Sequence, residues 1–192
     1  MQNKKIQLAI FASGSGTNAE NIVQYFLNDD DISIPLVLTN NPRAGVIERM
    51  KPYNIPVMIF NKEEFYSDQT LKLLNQLEID YLILAGFLWL VPENLIAAYQ
   101  DRIINIHPAL LPAYGGKGMY GHNVHKKVIE NKEKITGISI HIVNKEYDKG
   151  KILFQATCRV YPNDTVETLT NRVHSLEYNH FPAIIKAFAM TR

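Results

Sequence analysis

Short apolar runs alternate with amphipathic segments along this chain, the pattern that β-α-β units around a parallel sheet produce. Ile6–Phe11 reads as a buried strand, followed by a loop over Ala12–Thr17 and a helix over about Asn18–Leu27. Ile34–Leu38 is the next strand, closed by Thr39-Asn40-Asn41-Pro42. A helix over about Ala44–Lys51 then leads to a strand over Pro56–Phe60, and another helix covers about Asp68–Leu77. Tyr81–Ala85 is a strongly apolar strand, after which Gly86 turns the chain. Pro92 suits the first turn of a helix reaching Tyr99, and Arg102–Ile106 is the following strand.

The second half changes character. Pro108–Gly118 holds two prolines and three glycines, too irregular for an element, and is expected as an extended loop. A helix over about Tyr120–Glu130 follows. Gly137–Val143 and Lys151–Val160 read as strands joined through Asn144–Gly150. Asp164 with Glu167 reads as a capping box opening a long C-terminal helix, with a bend expected at Pro182. Together these elements predict one α/β domain: a Rossmann-like open sheet, mostly parallel, with helices on both faces and antiparallel strands in the C-terminal part.

Composition narrows the partners. A chain of 192 residues with 46% hydrophobic and 20% charged residues can bury a substantial core and is not a disordered chain. Twenty basic against nineteen acidic residues gives net +1, so no field is built for nucleic acid or an anionic membrane. The single Cys158 excludes an intramolecular disulfide and fits a reducing compartment; its strand-like surroundings mark it as packing. Met1-Gln2-Asn3-Lys4-Lys5 runs straight into the first strand without the pattern of a signal peptide. The apolar runs are too short to span a bilayer, and a cytoplasmic protein is expected.

Two segments carry candidate chemistry. Ser13-Gly14-Ser15-Gly16-Thr17-Asn18 lies between the first strand and first helix, where glycines let the backbone approach a ligand and free N–H groups attract anions. Gly14, Gly16 and Ala19 fit a dinucleotide fingerprint formally, but Thr39-Asn40-Asn41 stands where the ribose-binding acid belongs. No Lys-Ser/Thr pair follows the glycines, so a P-loop fails. A monophosphate cradle is the preferred reading, against a merely structural turn.

The other segment is Asn105-Ile106-His107-Pro108. Strand residues separated by one position, as Asn105 and His107 are, point to the same side, and ligands of open α/β sheets bind beyond those strand ends. Pro108 keeps His107 extended. An amide beside an imidazole suits a developing oxyanion, and Asp148, in the turn Tyr147-Asp148-Lys149-Gly150, is the best carboxylate to tune the histidine and raise its pKa. Gly150 permits a sharp bend there. No Ser or Cys nucleophile is placed beside the pair, which favours direct transfer over a covalent intermediate. His122 and His125, three apart on a helix, could join His107 around zinc, but apart from Glu130 that helix lacks carboxylates. No metal is expected.

On Gly14–Asn18, Asn105–Pro112 and Asp148–Gly150, with Leu84-Ala85-Gly86-Phe87 upstream and Gly-Lys-Gly-Met-Tyr-Gly at 116–121, the chain resembles the glycinamide ribonucleotide formyltransferases of purine biosynthesis along essentially its whole length. The resemblance implies formyl transfer from 10-formyltetrahydrofolate, as co-substrate, to the glycyl amine of a ribonucleotide, with no metal. It implies Asn105, His107 and Asp148 as the catalytic trio and Gly16, Thr17 and Asn18 as the substrate phosphate site. Leu88, Trp89, Leu90 and Val91 would line the pterin cleft together with Asn105, Lys62 would contact the folate, and Glu177 would hold the glycinamide end. A single formyltransferase domain is implied, with a phosphate-binding half over 1–100 and a catalytic, folate-binding half over 101–192, as a monomer or homodimer.

Three positions depart from the family pattern. Trp89 is bulkier than the Met or Arg usual there, Lys151 stands where proline is common, and the chain stops at Arg192, short of the tails of many relatives. The alternatives are a 10-formyltetrahydrofolate hydrolase, which would not need the phosphate loop, and a nonenzymatic phosphoribosyl-binding protein, which would not need the trio. A methionyl-tRNA formyltransferase would bring a further domain and a basic surface.

Overall fold

Alternation along the first strand decides the architecture. In β1 (Ile6–Phe11) Leu8 and Ile10 face one buried cluster while Ala9 and Phe11 face another, so this strand is covered on both sides. The computed structural model describes residues 4–191; the expectation for Met1-Gln2-Asn3 lies outside them. After β1 come α1 (Thr17–Phe26), β2 (Ile32–Thr39), α2 (Val46–Met50), β3 (Val57–Ile59), α3 (Lys62–Tyr66) and α4 (Asp68–Gln76). They are followed by β4 (Tyr81–Leu84), α5 (Glu93–Ala98), β5 (Ile103–His107), α6 (His122–Glu130), β6 (Ile135–Ile142), β7 (Ile152–Arg159) and α7 (Val166–Met190).

The strands form one seven-stranded sheet in the order β3-β2-β1-β4-β5-β6-β7. Pairing is parallel from β3 through β5 and antiparallel for β5–β6 and β6–β7, as the sequence pattern predicts. Buried residues of α1, α2, α6 and α7 join the cluster on one face; Phe65 of α3, Leu74 of α4 and Leu95 of α5 join that on the other. No helix among the described residues is long and apolar enough to cross a membrane.

Several boundaries differ from expectation for local reasons. The second helix is shorter than 44–51, because Pro52 lacks an N–H and the chain tightens into a 3-10 turn over Lys51–Tyr53 before Asn54 turns left-handed. The sequence reading misses α3, although Asn61 and Glu64 form a complete capping box at its start. The box opening α7 is not Asp164 with Glu167. Extended Thr165 is the cap, its hydroxyl accepting from Thr168 N while Thr168 Oγ1 accepts from Thr165 N. Asp164, one residue earlier, instead accepts from both Arg172 terminal nitrogens at 2.8 and 2.9 Å. The helix continues through Pro182 to Met190.

Order reversal places the crevice. From β1 the chain winds outward to β2 and β3, then returns to lay β4 on the other side of β1. The loops leaving β1 and β4 therefore diverge, which is where open α/β sheets bind ligands. Here they are tied together: Ser13 N donates to the Gly86 carbonyl and Leu88 N donates to Ser13 Oγ, both at 3.0 Å.

Candidate active site

The loop after β1 ends on a position only glycine fits. Gly16 caps α1 with φ +79°, and a Cβ there would come 2.5 Å from Cβ of Val46. No side chain caps α1, so its first N–H groups face outward at the positive end of the helix. Arg49 Nε donates to the Ser15 carbonyl at 2.9 Å and Val46 N to the Gly14 carbonyl at 3.3 Å, fixing the loop from α2. Thr17 and Asn18 follow, lining with Gly16 one wall of a cavity of about 520 Å³.

The Asn18 side chain is already engaged. Its Nδ2 donates to Glu177 Oε2 at 2.7 Å, while its buried Oδ1 has no hydrogen-bond partner among the described residues. Glu177 itself is 4% exposed on α7. Burial pushes its carboxyl up to about 7, against the opposing pull of the Asn18 bond. His174 Nε2 lies 3.9 Å away, one turn earlier on the same helix.

Across the cavity, Ile104 and Ile106 enter the core, which turns Asn105 and His107 to the other face at the C-terminal end of β5. Both line the cavity, as expected from their spacing. His107 Nε2 lies 2.7 Å from the Tyr114 carbonyl, an acceptor, so that nitrogen carries the proton and Nδ1 faces Asp148 Oδ1 at 3.6 Å. Asp148 reaches the site from the β6–β7 turn in a left-handed conformation, φ +55°. Its Oδ2 accepts from Gly116 N at 2.8 Å, joining the turn to the loop after β5. Gly150 lies at a bend, as expected, and also allows a close approach, since a Cβ there would lie 1.6 Å from the Ile142 carbonyl oxygen.

Asp148 does raise the His107 pKa, as expected, but it does not set the net direction. Burial pulls the His107 pKa below its ordinary 6.5, and this outweighs Asp148 and the Tyr114 carbonyl, which both raise it. For Asp148 burial pulls upward, but the imidazoles of His141 and His107 and the Gly116 N–H together hold the carboxyl below the usual range. The pair therefore rests as neutral imidazole and carboxylate. A base facing an anion can take up a proton and be stabilised once it has done so.

The sequence reading missed His141. It is buried on β6 directly opposite Asn105, its Nε2 3.0 Å from Asn105 Nδ2 and 3.5 Å from Asp148 Oδ1. Part of the signal is in the sequence: Ser139 and His141 alternate with Ile138, Ile140 and Ile142 and so share a face, but the register against β5 is not. His125 also lines the cavity. Burial chiefly, with neighbouring histidines, pushes its pKa down to about 4, and its Nδ1 has no hydrogen-bond partner among the described residues. His122, three residues earlier, is exposed, and no three His, Cys, Asp or Glu side chains among the described residues converge as a metal site.

The folate candidates separate. Leu88 lines the cavity with Asn105, whereas Lys62, Trp89, Leu90 and Val91 do not. Trp89 packs edge-on to Phe60 and Phe87 and stacks on Tyr66, with Lys62 Nζ 5.8 Å from its ring centroid. The Leu90 carbonyl accepts from the Tyr66 hydroxyl at 3.1 Å, and Val91 is buried.

The chain is similar to known proteins over nearly its whole length. Residues 6–185 match the formyl transferase family. The chain is 38% identical over 197 residues to the chloroplastic phosphoribosylglycinamide formyltransferase of Arabidopsis thaliana, covering 98% of this chain and 67% of that protein. It is 34% identical over 186 residues to the phosphoribosylglycinamide formyltransferase of Bacillus subtilis, covering 94% and 93%. The chain spans 62% of the length of the Vigna unguiculata chloroplastic relative. The crystal structure of the Bacillus halodurans phosphoribosylglycinamide formyltransferase superposes with a TM-score of 0.87 at 36% identity, covering 96% of each chain.

Proposed function

The chain belongs to the formyl transferase family, and from that premise we propose that it moves the formyl group of 10-formyltetrahydrofolate onto the glycyl amine of glycinamide ribonucleotide, the formylation step of de novo purine biosynthesis. The observation that carries this reading is the convergence of two features on one cavity. An uncapped helix start led by Gly16 suits a phosphate, and Asn105, His107 and Asp148 stand opposite it.

In this reading the phosphate sits against the N–H groups of Gly16, Thr17 and Asn18, and Glu177 faces the glycinamide end. The folate enters beside Leu88 and Asn105, with Lys62, Trp89 and Leu90 beyond the cavity as an outer wall and Val91 packed behind them in the core. The loop half of the chain, to about residue 100, holds the phosphate, and the second half supplies the chemistry. Attack of the amine on the formyl carbon puts negative charge on the formyl oxygen, toward which Asn105 donates an N–H. The proton lost by the amine passes to the bare Nδ1 of His107, by way of a water held at Asp148. Its return to the folate nitrogen breaks the carbon–nitrogen bond and releases tetrahydrofolate, without a metal or a covalent intermediate.

The test is to incubate the protein with 10-formyltetrahydrofolate, with and without glycinamide ribonucleotide, and to follow folate absorbance. Consumption only with the ribonucleotide is expected. Consumption without it would make the protein a hydrolase, and no consumption in either case would leave a phosphoribosyl-binding protein.

A further inference from the structure

The ring of His141 is held on one side and offered on the other. Its Nδ1 lies 3.0 Å from the Ile142 carbonyl oxygen, which can only accept, so Nδ1 carries a proton. The close approach of Gly150, where a Cβ would stand 3.5 Å from that nitrogen, leaves room for this arrangement. One polar atom of the ring remains, Nε2, and it lies within reach of two groups of the proposed chemistry: Asn105 Nδ2 at 3.0 Å and Asp148 Oδ1 at 3.5 Å. A neutral ring accepts from the amide; a protonated ring donates to the carboxylate.

Resting on the formyl-transfer reading, we infer that His141 is a positioning residue which fixes the Asn105 amide as a donor into the cleft and holds it in register with Asp148. An amide nitrogen has two hydrogens. With one accepted by His141, the amide cannot spin, and the other is fixed in direction. Ring placement follows from the fold: the antiparallel register sets Asn105 opposite His141 and His107 opposite Ser139. Ser139 does the neighbouring structural work, accepting from Leu111 N and donating to the Ala109 carbonyl. The titratable groups facing His141 are His107 from β5 and Asp148 from the β6–β7 turn.

The experiment compares wild type, His141→Ala, His141→Gln, Asn105→Ala and the His141→Ala/Asn105→Ala double variant in the two-substrate assay. Loss of one oxyanion donor typically costs roughly 10²–10³-fold in kcat, so His141→Ala is expected to lose about 10²-fold with each KM moved less than about threefold. Glutamine, which can accept from Asn105 through oxygen and donate to Asp148 through nitrogen, is expected to restore most of that loss. Added to Asn105→Ala, the His141 change is expected to cost almost nothing further, because the group it orients is gone. Equal losses in both backgrounds, a defect confined to KM, or no rescue by glutamine would overturn the assignment. A wild type without turnover would instead remove the formyl-transfer reading. The ring is then read directly by ¹⁵N NMR of histidine-labelled wild type: a neutral ring protonated at Nδ1 alone supports the positioning geometry, and a ring protonated at Nε2, alone or together with Nδ1, overturns it.

Discussion

His107 meets Asp148 through Nδ1, because its other ring nitrogen is fixed on the Tyr114 carbonyl. The carboxylate therefore faces the one nitrogen that can change its protonation during the reaction. Asp148→Asn keeps an oxygen for the Gly116 N–H but removes the charge that stabilises an imidazolium. General acid–base contributions are roughly 10²–10⁴-fold, so kcat should fall by about 10³-fold while both KM values stay close to wild type. Steady-state kinetics decide this; near-normal turnover would remove Asp148 from the proton path.

The same geometry sets a pH dependence with a definite sign. Burial already holds His107 below 6.5, and Asp148 is among the groups pulling it back up. ¹H–¹³C NMR titration should therefore show His107 gaining its proton only below the ordinary imidazole range. In Asp148→Asn it should do so at still lower pH, since an upward influence has been lost. An upward shift in that variant would contradict the assignment of Asp148 as the charge partner.

These relationships were unequally legible in the sequence. Asn105 and His107 could be placed together because strand alternation is local, and the glycine loop because its chemistry lies in consecutive residues. His141 depends on the register of two antiparallel strands 36 residues apart, which alternation alone does not give. Trp89 was read toward the folate from its neighbours in the chain. Its ring also packs against Phe60, which follows β3, and Phe65, which belongs to α3, contacts that neighbours in the chain do not reveal. Asp164 has the right residue type for a cap, but Arg172, two turns along α7, takes its carboxylate and leaves the capping to Thr165.

Glu177 opposes stability to function. An unfolded chain releases this proton near 4.5, whereas the folded protein holds it to about 7. Folding thus loses stability as pH rises between those values, and the loss is complete above 7. At about 1.4 kcal/mol per unit the burden is on the order of 3 kcal/mol. Glu177→Gln keeps an oxygen for Asn18 and should be more stable than wild type by about that amount at pH 8, with the gain vanishing near pH 4. Urea denaturation at the two pH values measures it. The same variant should bind glycinamide ribonucleotide more weakly, seen as a raised KM.

Gly16 should tolerate no side chain. At φ +79° an alanine is strained by about 1–2 kcal/mol, and its Cβ would overlap Val46, whose backbone anchors α2. Gly16→Ala should lower the melting temperature and weaken binding of the ribonucleotide more than that of folate, because in the proposed reading the displaced N–H groups meet the phosphate. Calorimetric titration with each substrate separates the two. Equal loss for both would mean that the loop supports the cavity as a whole rather than the phosphate.

Ser13 bridges the two loops of the crevice, so its loss should be felt on both substrates at once. The buried hydroxyl accepts from Leu88 N, while its backbone N–H donates to the Gly86 carbonyl. Ser13→Ala removes only the first bond and leaves Leu88 N unpaired. A net cost of about 1 kcal/mol is typical of such a change, equivalent to roughly a fivefold change in an equilibrium constant. Neither bond touches the reacting atoms, so kcat should hold while both KM values rise severalfold. A drop in kcat alone would place Ser13 in the chemistry itself and reassign the loop after β1 from ligand positioning to catalysis.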